Sequence, residues 1–418
     1  MDIQTIKPIN FKGYDARPLK GFLMCSNGHG IAEEMAKIGK KEGFRIFMPV
    51  KNNLIANPDF KKVIFNPDLW AQDYWTILKT KLLGENYNKV FYIIKNALNL
   101  YTDFTERISH ETDKIKHLQQ NLWDLFDEMG DKRDRDISKT AKVFQATNKD
   151  LAICNKDAHI AGGNLFIIKN NDKDELIIGK NVLENFDMED IYAMFNVDKV
   201  TVLPQMDYHL DLFIRPLNNK KILLADDFIS LDVLRTQYEK FNKLMHKATT
   251  EEEKTKYETI KKQLQTTIAN FFEAINNNQY PQAKEISKIL ENNGYEVIRV
   301  PGRIYSLKKD MFGDCHLQHQ CNYINANVLE NKKGDLVYIT NFSNVDKNIY
   351  GENSDFIEST FQESFINYIT PYVNRKHIYF VKGEDNFIAD KMLPKLQGGI
   401  HCTCAEIPKE IKFSKKYD

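Results

Sequence analysis

Short apolar runs alternate with helically spaced apolar positions along most of this chain. Gly21 to Met24 reads as a strand, Ile31 to Lys41 as an amphipathic helix and Arg45 to Met48 as a second strand. The same rhythm returns at Lys89 to Lys95, Lys199 to Leu203, Glu296 to Val300 and His377 to Val381. This predicts an α/β protein rather than an all-α or all-β one. A helix ending near Leu290, followed by Glu296 to Val300, Tyr323 to Leu329 and Asp335 to Thr340, reads as one helix and three strands in succession.

Two stretches depart from that rhythm and predict helical insertions, at about 103–136 and 231–275. In the first, Ile108, Ile115, Leu118, Leu122, Leu125 and Met129 recur at helical spacing before the charged loop Asp131 to Asp136. In the second, Leu231, Leu234, Tyr238, Phe241 and Met245 form one stripe and Tyr257, Ile260, Leu264, Ile268 and Phe271 another. Thr249 to Glu253 between them has the composition of a capping box. A helical hairpin packed on its own scaffold accounts for such stripes without a partner.

Composition removes several function classes. Lysine plus arginine and aspartate plus glutamate number 58 each in 418 residues, so no net field steers the chain toward nucleic acid or an anionic membrane. Lys7, Lys12, Arg17 and Lys20 interrupt the first twenty residues, which lack the apolar core of a signal peptide. The six cysteines, Cys25, Cys154, Cys315, Cys321, Cys402 and Cys404, are too sparse for a disulfide framework. The expectation is a soluble chain in a reducing, cytoplasmic compartment, with export by a signal-independent route left open.

Four segments carry candidate chemistry: Trp70-Ala71-Gln72-Asp73, Gly162-Gly163-Asn164, His209-Leu210-Asp211 and Gly398-Gly399-Ile400-His401-Cys402-Thr403-Cys404. Taken singly, Asp73 reads as a turn aspartate, His209 and Asp211 as a polar strand pair, and Cys402 as a small buried hydrophobe. Together they offer a thiol nucleophile, an imidazole proton carrier and two carboxylates. That set suits a guanidinium, which is planar, permanently charged and a poor electrophile. Asp73 and Asp211 would each accept two N–H bonds from it, Cys402 would attack its carbon, and His209 would move the proton. The spacing of two predicts that His209 and Asp211 share one strand face. Trp70 would wall the substrate stem, and Gly163 and Asn164 would bring backbone close to it. The segment from Cys315 to Cys321 packs Cys315, His316, His319 and Cys321 into seven residues. It lacks the paired couplets of a structural zinc site, so no metal and no cofactor are expected.

The order Trp-x-x-Asp, Gly-Gly-Asn, His-x-Asp and terminal Gly-x-His-Cys resembles the guanidino-modifying enzymes of the pentein fold. The nearest branch is the catalytic domain of peptidylarginine deiminases, through Trp70 to Asp73, Gly163-Asn164-Leu165 and Ile400-His401-Cys402. The resemblance implies an α/β propeller with fivefold pseudosymmetry, here one catalytic domain over 1–418 with two helical insertions. It further implies deimination of protein or peptide arginine to citrulline with release of ammonia. Agmatine deiminases share several of the elements, although Ala161 stands where their Glu-Gly-Gly element has a carboxylate. The alternatives are therefore an agmatine or other small-guanidine deiminase, an amidinotransferase, or, in another class, a catalytically silent pentein scaffold. Calcium-dependent members carry carboxylates beside the first two motifs, where this chain has Tyr74-Trp75-Thr76 and Phe166. Activity is accordingly expected to be independent of calcium.

Overall fold

The structure is a computed structural model. It describes residues 19–24, 31–49, 60–63, 75–82, 85–92, 151–153, 162–170, 173–184, 186–195, 197–207, 209–218, 220–277, 283–309, 315–342, 354–381 and 399–408. In chain order these form β1 (Leu19–Met24), α1 (Ile31–Glu42), β2 (Arg45–Pro49), β3 (Phe60–Val63), β4 (Trp75–Leu82), β5 (Glu85–Tyr92) and β6 (Leu151–Ile153). Next come β7 (Leu165–Asn170), β8 (Lys173–Gly179), α2 (Met188–Phe195), β9 (Lys199–Leu203), β10 (Ile214–Pro216) and β11 (Lys221–Ala225). The helices α3 (Asp227–Lys247), α4 (Glu251–Asn277) and α5 (Ala283–Asn292) then lead to β12 (Glu296–Val300), β13 (Arg303–Lys309) and β14 (Cys315–Asn322). Last are β15 (Ala326–Glu330), β16 (Leu336–Asn341), α6 (Ser354–Ile369), β17 (Ile378–Val381) and β18 (Cys404–Pro408).

One plan recurs among the described strands. A first strand pairs antiparallel with a second, and a third lies parallel to the second, as in β4-β5-β6, β7-β8-β9, β10-β11-β12 and β15-β16-β17. Antiparallel neighbours need only a tight turn, whereas parallel neighbours need a crossover. The crossovers are α2 between β8 and β9, α3 to α5 between β11 and β12, and α6 between β16 and β17. A fifth unit of the same plan joins distant parts of the sequence. Here β18 pairs antiparallel with β1, from Leu19 opposite Pro408 to Met24 opposite Cys404, and β1 pairs parallel with β2 across α1. β3 extends this sheet by a further parallel pairing.

The succession of helix and three strands expected around Leu290 to Thr340 is not one unit. β12 and the helix before it complete the unit of β11, while β15 and β16 take α6 and β17 as their partners. Tyr323 sits in the bend before β15 rather than in a strand. Apolar alternation marks strands but carries no information on which neighbour each one chooses.

The central strands read as near-continuous apolar runs because both faces are covered. Ile222, Leu223, Leu224 and Ala225 of β11 are all fully buried, as are Val337, Tyr338 and Ile339 of β16. In the long crossover, Asp226 caps α3 by accepting from the Phe228 and Ile229 amides at 3.0 and 3.2 Å. Leu231, Leu234 and Phe241 of α3 and Ile260, Leu264 and Phe271 of α4 turn inward. Between these helices, Thr250 Oγ1 accepts from the Glu253 amide while Glu253 Oε2 accepts from the Thr249 amide. Thr250 thus caps the helix, and Glu253 reaches back to the amide one residue before the cap, a variant of the capping box. The helical pair rests on the β13-β14 hairpin, where Phe271 meets Tyr305 edge-on at 5.1 Å. The stretch 103–136 lies outside the described residues. Among the described residues, no helix is long and apolar enough to cross a membrane.

Candidate active site

Four described turns occupy the same place in four different units, immediately before the first strand. They are the 3-10 turn Gly162–Asn164 before β7, the 3-10 turn Leu210–Leu212 before β10, the bend 323–325 before β15, and the turn 399–403 before β18. Asp73 and Trp70 fall in the segment before β4, the corresponding place in the remaining unit, and lie outside the described residues. Equivalent positions of a repeated plan thus supply the polar side chains, and the turns meet around Asp211.

Asp211 is fully buried, and its Oδ2 gathers three groups from two other units. His401 Nδ1 lies 2.9 Å away, Asn325 Nδ2 donates at 2.8 Å, and the Cys402 thiol donates at 3.2 Å. Where Asp211 is ionised it only accepts, and His401 then donates to it from Nδ1. Asn325 Nδ2 also lies 3.2 Å from Cys402 Sγ, and Asn325 Oδ1 accepts from the His401 amide at 2.9 Å. One carboxamide therefore touches the sulfur, the carboxylate and the backbone next to the sulfur.

His209 stands on the other side of Asp211. A Cβ added to Gly163 would meet His209 Nδ1 at 2.6 Å and Asp211 Oδ1 at 2.9 Å, so both side chains face the bare glycine and no larger residue fits between them. Asn164 is buried, and its Oδ1 accepts from the Leu210 amide and from Gln205 Nε2, each at 3.0 Å. It holds the turn that carries His209 and Asp211.

The expectation that His209 and Asp211 share a strand face is corrected. His209 is extended (φ −128, ψ 148) and begins the 3-10 turn Leu210–Leu212, in which the Leu212 amide donates to His209 O and the Phe213 amide to Leu210 O. Local bonds and the Asn164 anchor replace a sheet ladder here, and β10 starts only at Ile214. Cys402 likewise sits outside a strand, in the turn leading into β18.

Asn325 was not among the residues singled out from the sequence. The signal was Asn322-Tyr323-Ile324-Asn325-Ala326-Asn327, three asparagines in an otherwise apolar stretch ahead of a strand, where asparagine is disfavoured. All three are buried. Asn322 Oδ1 accepts from the Ile324 and Asn325 amides, and its Nδ2 donates to Leu212 O at 2.9 Å, tying two site turns together.

Burial pushes the His401 pKa well below its ordinary value, and the charges of Arg215 and His209 add to the effect. The imidazole is therefore neutral. Arg215, fully buried on β10, lies with its guanidinium 4.6 Å from the Phe166 ring centroid, and that ring is 5.8 Å from His401. Burial also pushes the Cys404 thiol up to about 12, which suits a packing role.

Cys315 to Cys321 lies within strand β14, whose backbone pairs antiparallel with β13. His319 Nε2 is 2.9 Å from Asp207 Oδ2, and Cys321 is buried with its pKa raised by burial. Among the described residues, no three His, Cys, Asp or Glu side chains gather to hold a metal ion. Asp207 also accepts from Arg303 Nη1 at 2.9 Å, and Arg303 grips Asp227 through Nε and Nη2 at 2.8 and 3.0 Å. Tyr305 donates to the same Asp227 at 2.8 Å.

No protein-family model matches the chain, and no curated protein sequence does either. Among solved structures, the C. jejuni agmatine deiminase matches with a TM-score of 0.50 over 98% of this chain and 100% of that one, at 12% identity. The chain is similar in fold to that structure. At that identity the likeness speaks for the backbone alone, a mixed α/β arrangement, and any chemistry rests on the side chains described above.

Proposed function

We propose that the chain is a cysteine-dependent hydrolase of guanidino groups. The observation that carries this reading is Cys402 Sγ at 3.2 Å from a buried carboxylate, Asp211, whose other oxygen faces the same glycine as His209. Asp211 would accept from two N–H groups of the substrate, with Asp73 as its counterpart. In support, β4 begins two residues after Asp73 and packs against β18, which begins two residues after Cys402. Each carboxylate pairing has a Coulomb term of about 4 kcal/mol at ~4 Å and an effective dielectric near ~20, much of it offset by desolvation. Orientation of the guanidinium carbon toward sulfur is the larger gain.

In the reaction, the Cys402 thiolate forms a bond to the guanidinium carbon and the resulting tetrahedral adduct expels ammonia, leaving an S-alkylthiouronium. Water then adds to that carbon and the C–S bond breaks, giving a ureido product and restoring the thiol. His209 protonates the departing nitrogen and later takes a proton from water. Asn325 donates to the sulfur when it is a thiolate and keeps Asp211 in place. The five units of one plan, with β18 closing on β1, support a single propeller domain of fivefold pseudosymmetry in which α3 and α4 are an insertion.

The likeness of the backbone to agmatine deiminase favours a small guanidino compound of the agmatine class as substrate. Arginine within a peptide or protein is the second reading, favoured by Trp70 to Asp73 and Ile400 to Cys402. Arg303 has its guanidinium taken up by Asp207 and Asp227, which argues against it as a clamp for a free α-carboxylate. The test is to incubate the protein with agmatine, free arginine and an acetylated, amidated arginine peptide, measuring ammonia and ureido product. Stoichiometric release from at least one, lost in Cys402→Ala, is expected; folded protein that releases ammonia from none of them or from other guanidino compounds refutes the reading. The kcat/KM ranking decides the substrate, a tenfold ratio being about 1.4 kcal/mol in transition-state binding.

A further inference from the structure

We propose that Asn341 is a positioning residue for Cys402, its carboxamide setting the nucleophile turn at a fixed distance from Asn325; the inference rests on the proposed hydrolase reading. Asn341 is the last residue of β16, a central strand buried along its whole length, and is itself buried. Its Oδ1 accepts from the Ile400 amide at 2.6 Å. Its Nδ2 donates to Asn322 O at 2.7 Å and to Asn325 O at 3.0 Å. One rigid carboxamide therefore clamps the turn carrying Cys402 to the bend carrying Asn325.

The fit leaves no slack. A Cβ on Gly399 would lie 2.2 Å from Asn325 Oδ1 and 2.5 Å from Asn341 Nδ2, so the turn can approach both carboxamides only with glycine there. On the far side, Thr403 Oγ1 donates to Ile400 O at 2.8 Å, and Asn327 Nδ2 reaches the same carbonyl at 3.4 Å. The peptide of Ile400 is thus held at both its N–H and its C=O, two residues before the sulfur. Neighbouring β16 side chains fix the other partner, since Tyr338 and Thr340 both donate to Tyr323 O, at 2.7 and 2.8 Å. Asn341 touches neither the sulfur nor Asp211 in any of these contacts, and it acts through the two turns it joins.

The experiment compares Asn341→Ala, Asn341→Asp and Gly399→Ala with the unaltered protein. Two readouts are taken: kcat and KM on the preferred guanidino substrate, and the rate of Cys402 alkylation by iodoacetamide, followed by mass on the Cys402 peptide. Asn341→Ala is expected to lower kcat about 100-fold with KM changed less than ~3-fold, the size associated with misplacing a reacting group by about 1 Å. Cys402 alkylation at pH 7 should slow by about tenfold, because the thiolate loses its aligned donor. Asn341→Asp supplies a reading that loss of stability does not reproduce. As a neutral carboxyl it keeps one acceptor and one donor; as a carboxylate it faces two carbonyl oxygens with no proton to give. The ratio of kcat for Asn341→Asp to that for Asn341→Ala should therefore rise at least about tenfold from pH 8 to pH 5.5. Gly399→Ala should reproduce the kcat loss by steric means. If Asn341→Ala does not fold, the Asn341→Asp to Gly399→Ala ratio takes its place. Near-normal kcat and alkylation in folded Asn341→Ala, or a pH-independent ratio, overturns the proposal. Alkylation needs no turnover, so it still decides the role of Asn341 if no guanidino compound proves to be a substrate.

Discussion

Two buried polar hubs flank the short segment 207–211, and they are built on opposite principles. At Asp207, the Arg303 guanidinium is shared between two carboxylates, Asp207 and Asp227, with His319 and Tyr305 completing the network. Burial opposes the charge on Arg303, yet Asp227, Tyr305 and Asp207 hold its pKa above the ordinary value. At Asp211, the groups on Oδ2 are a neutral imidazole, a carboxamide and a thiol. The first hub matches cation to anion within the chain and so fastens the segment to the β13-β14 hairpin and α3. The second places an imidazole, a carboxamide and a thiol on one carboxylate oxygen, and in the proposed reading that carboxylate would accept a cation brought by a substrate. Four residues apart, one carboxylate serves the fold and the other suits chemistry.

That contrast can be broken most sharply at the sulfur. Cys402→Ala should abolish turnover while Cys404→Ala keeps most of it, since only Cys402 touches Asp211 and Asn325; comparable losses in two folded variants would dismiss the assignment. Asp211→Asn keeps the shape of the hub but turns a donor toward donors. It should lower kcat/KM by at least about 10²-fold, or ~2.7 kcal/mol, with stability changed by less than ~1 kcal/mol. The reverse split is expected at the other hub. Arg303→Met leaves two buried carboxylates without their cation and should cost about 3–5 kcal/mol of stability, read from urea unfolding. Loss of activity in Asp211→Asn through unfolding alone, or a fully stable Arg303→Met, would erase the distinction.

A smaller effect sharpens it through pH. The folded pKa of His401 lies below its unfolded value of about 6.5, so between the two the unfolded chain binds one more proton. The stability this group contributes is full above about pH 6.5 and falls as the pH drops through the window, by up to ~1.4 kcal/mol per unit. His401→Asn should flatten that part of a plot of urea midpoint against pH, whereas an unchanged slope would mean the imidazole is not held neutral. The smallest expected effect is that of chelation. Activity should survive removal of calcium, and loss restored by calcium alone would contradict the reading of Tyr74-Trp75-Thr76 and Phe166.

The legible parts of the sequence were those with a local cause. The stripes Leu231, Leu234 and Phe241 and Ile260, Leu264 and Phe271 turn inward on α3 and α4, and the capping bonds around Thr250 and Glu253 separate the two helices. The paired glycines before Asn164 and before His401 marked places where backbone must come close, and Gly163 and Gly399 have no room for a Cβ. Less legible was anything set by partners far away in sequence. His209 and Asp211 have strand-like spacing, but a carboxamide 46 residues upstream of Leu210 draws the backbone into a 3-10 turn. Asn325 and Asn341 were not singled out, since a carboxamide has no charge to mark its purpose and its partners lie far away in sequence.

By itself the sequence determined the α/β character, the positions of most strands and helices, and a short roster of reactive side chains, because patterning and turn chemistry act over a few residues. Only the tertiary structure decided which strands pair, that β18 returns to β1, and that turns from different units meet at one carboxylate. Hydrogen bonds between Asp211, Asn325 and Cys402 span 77 to 191 residues of chain, and no local rule encodes a contact at such separation.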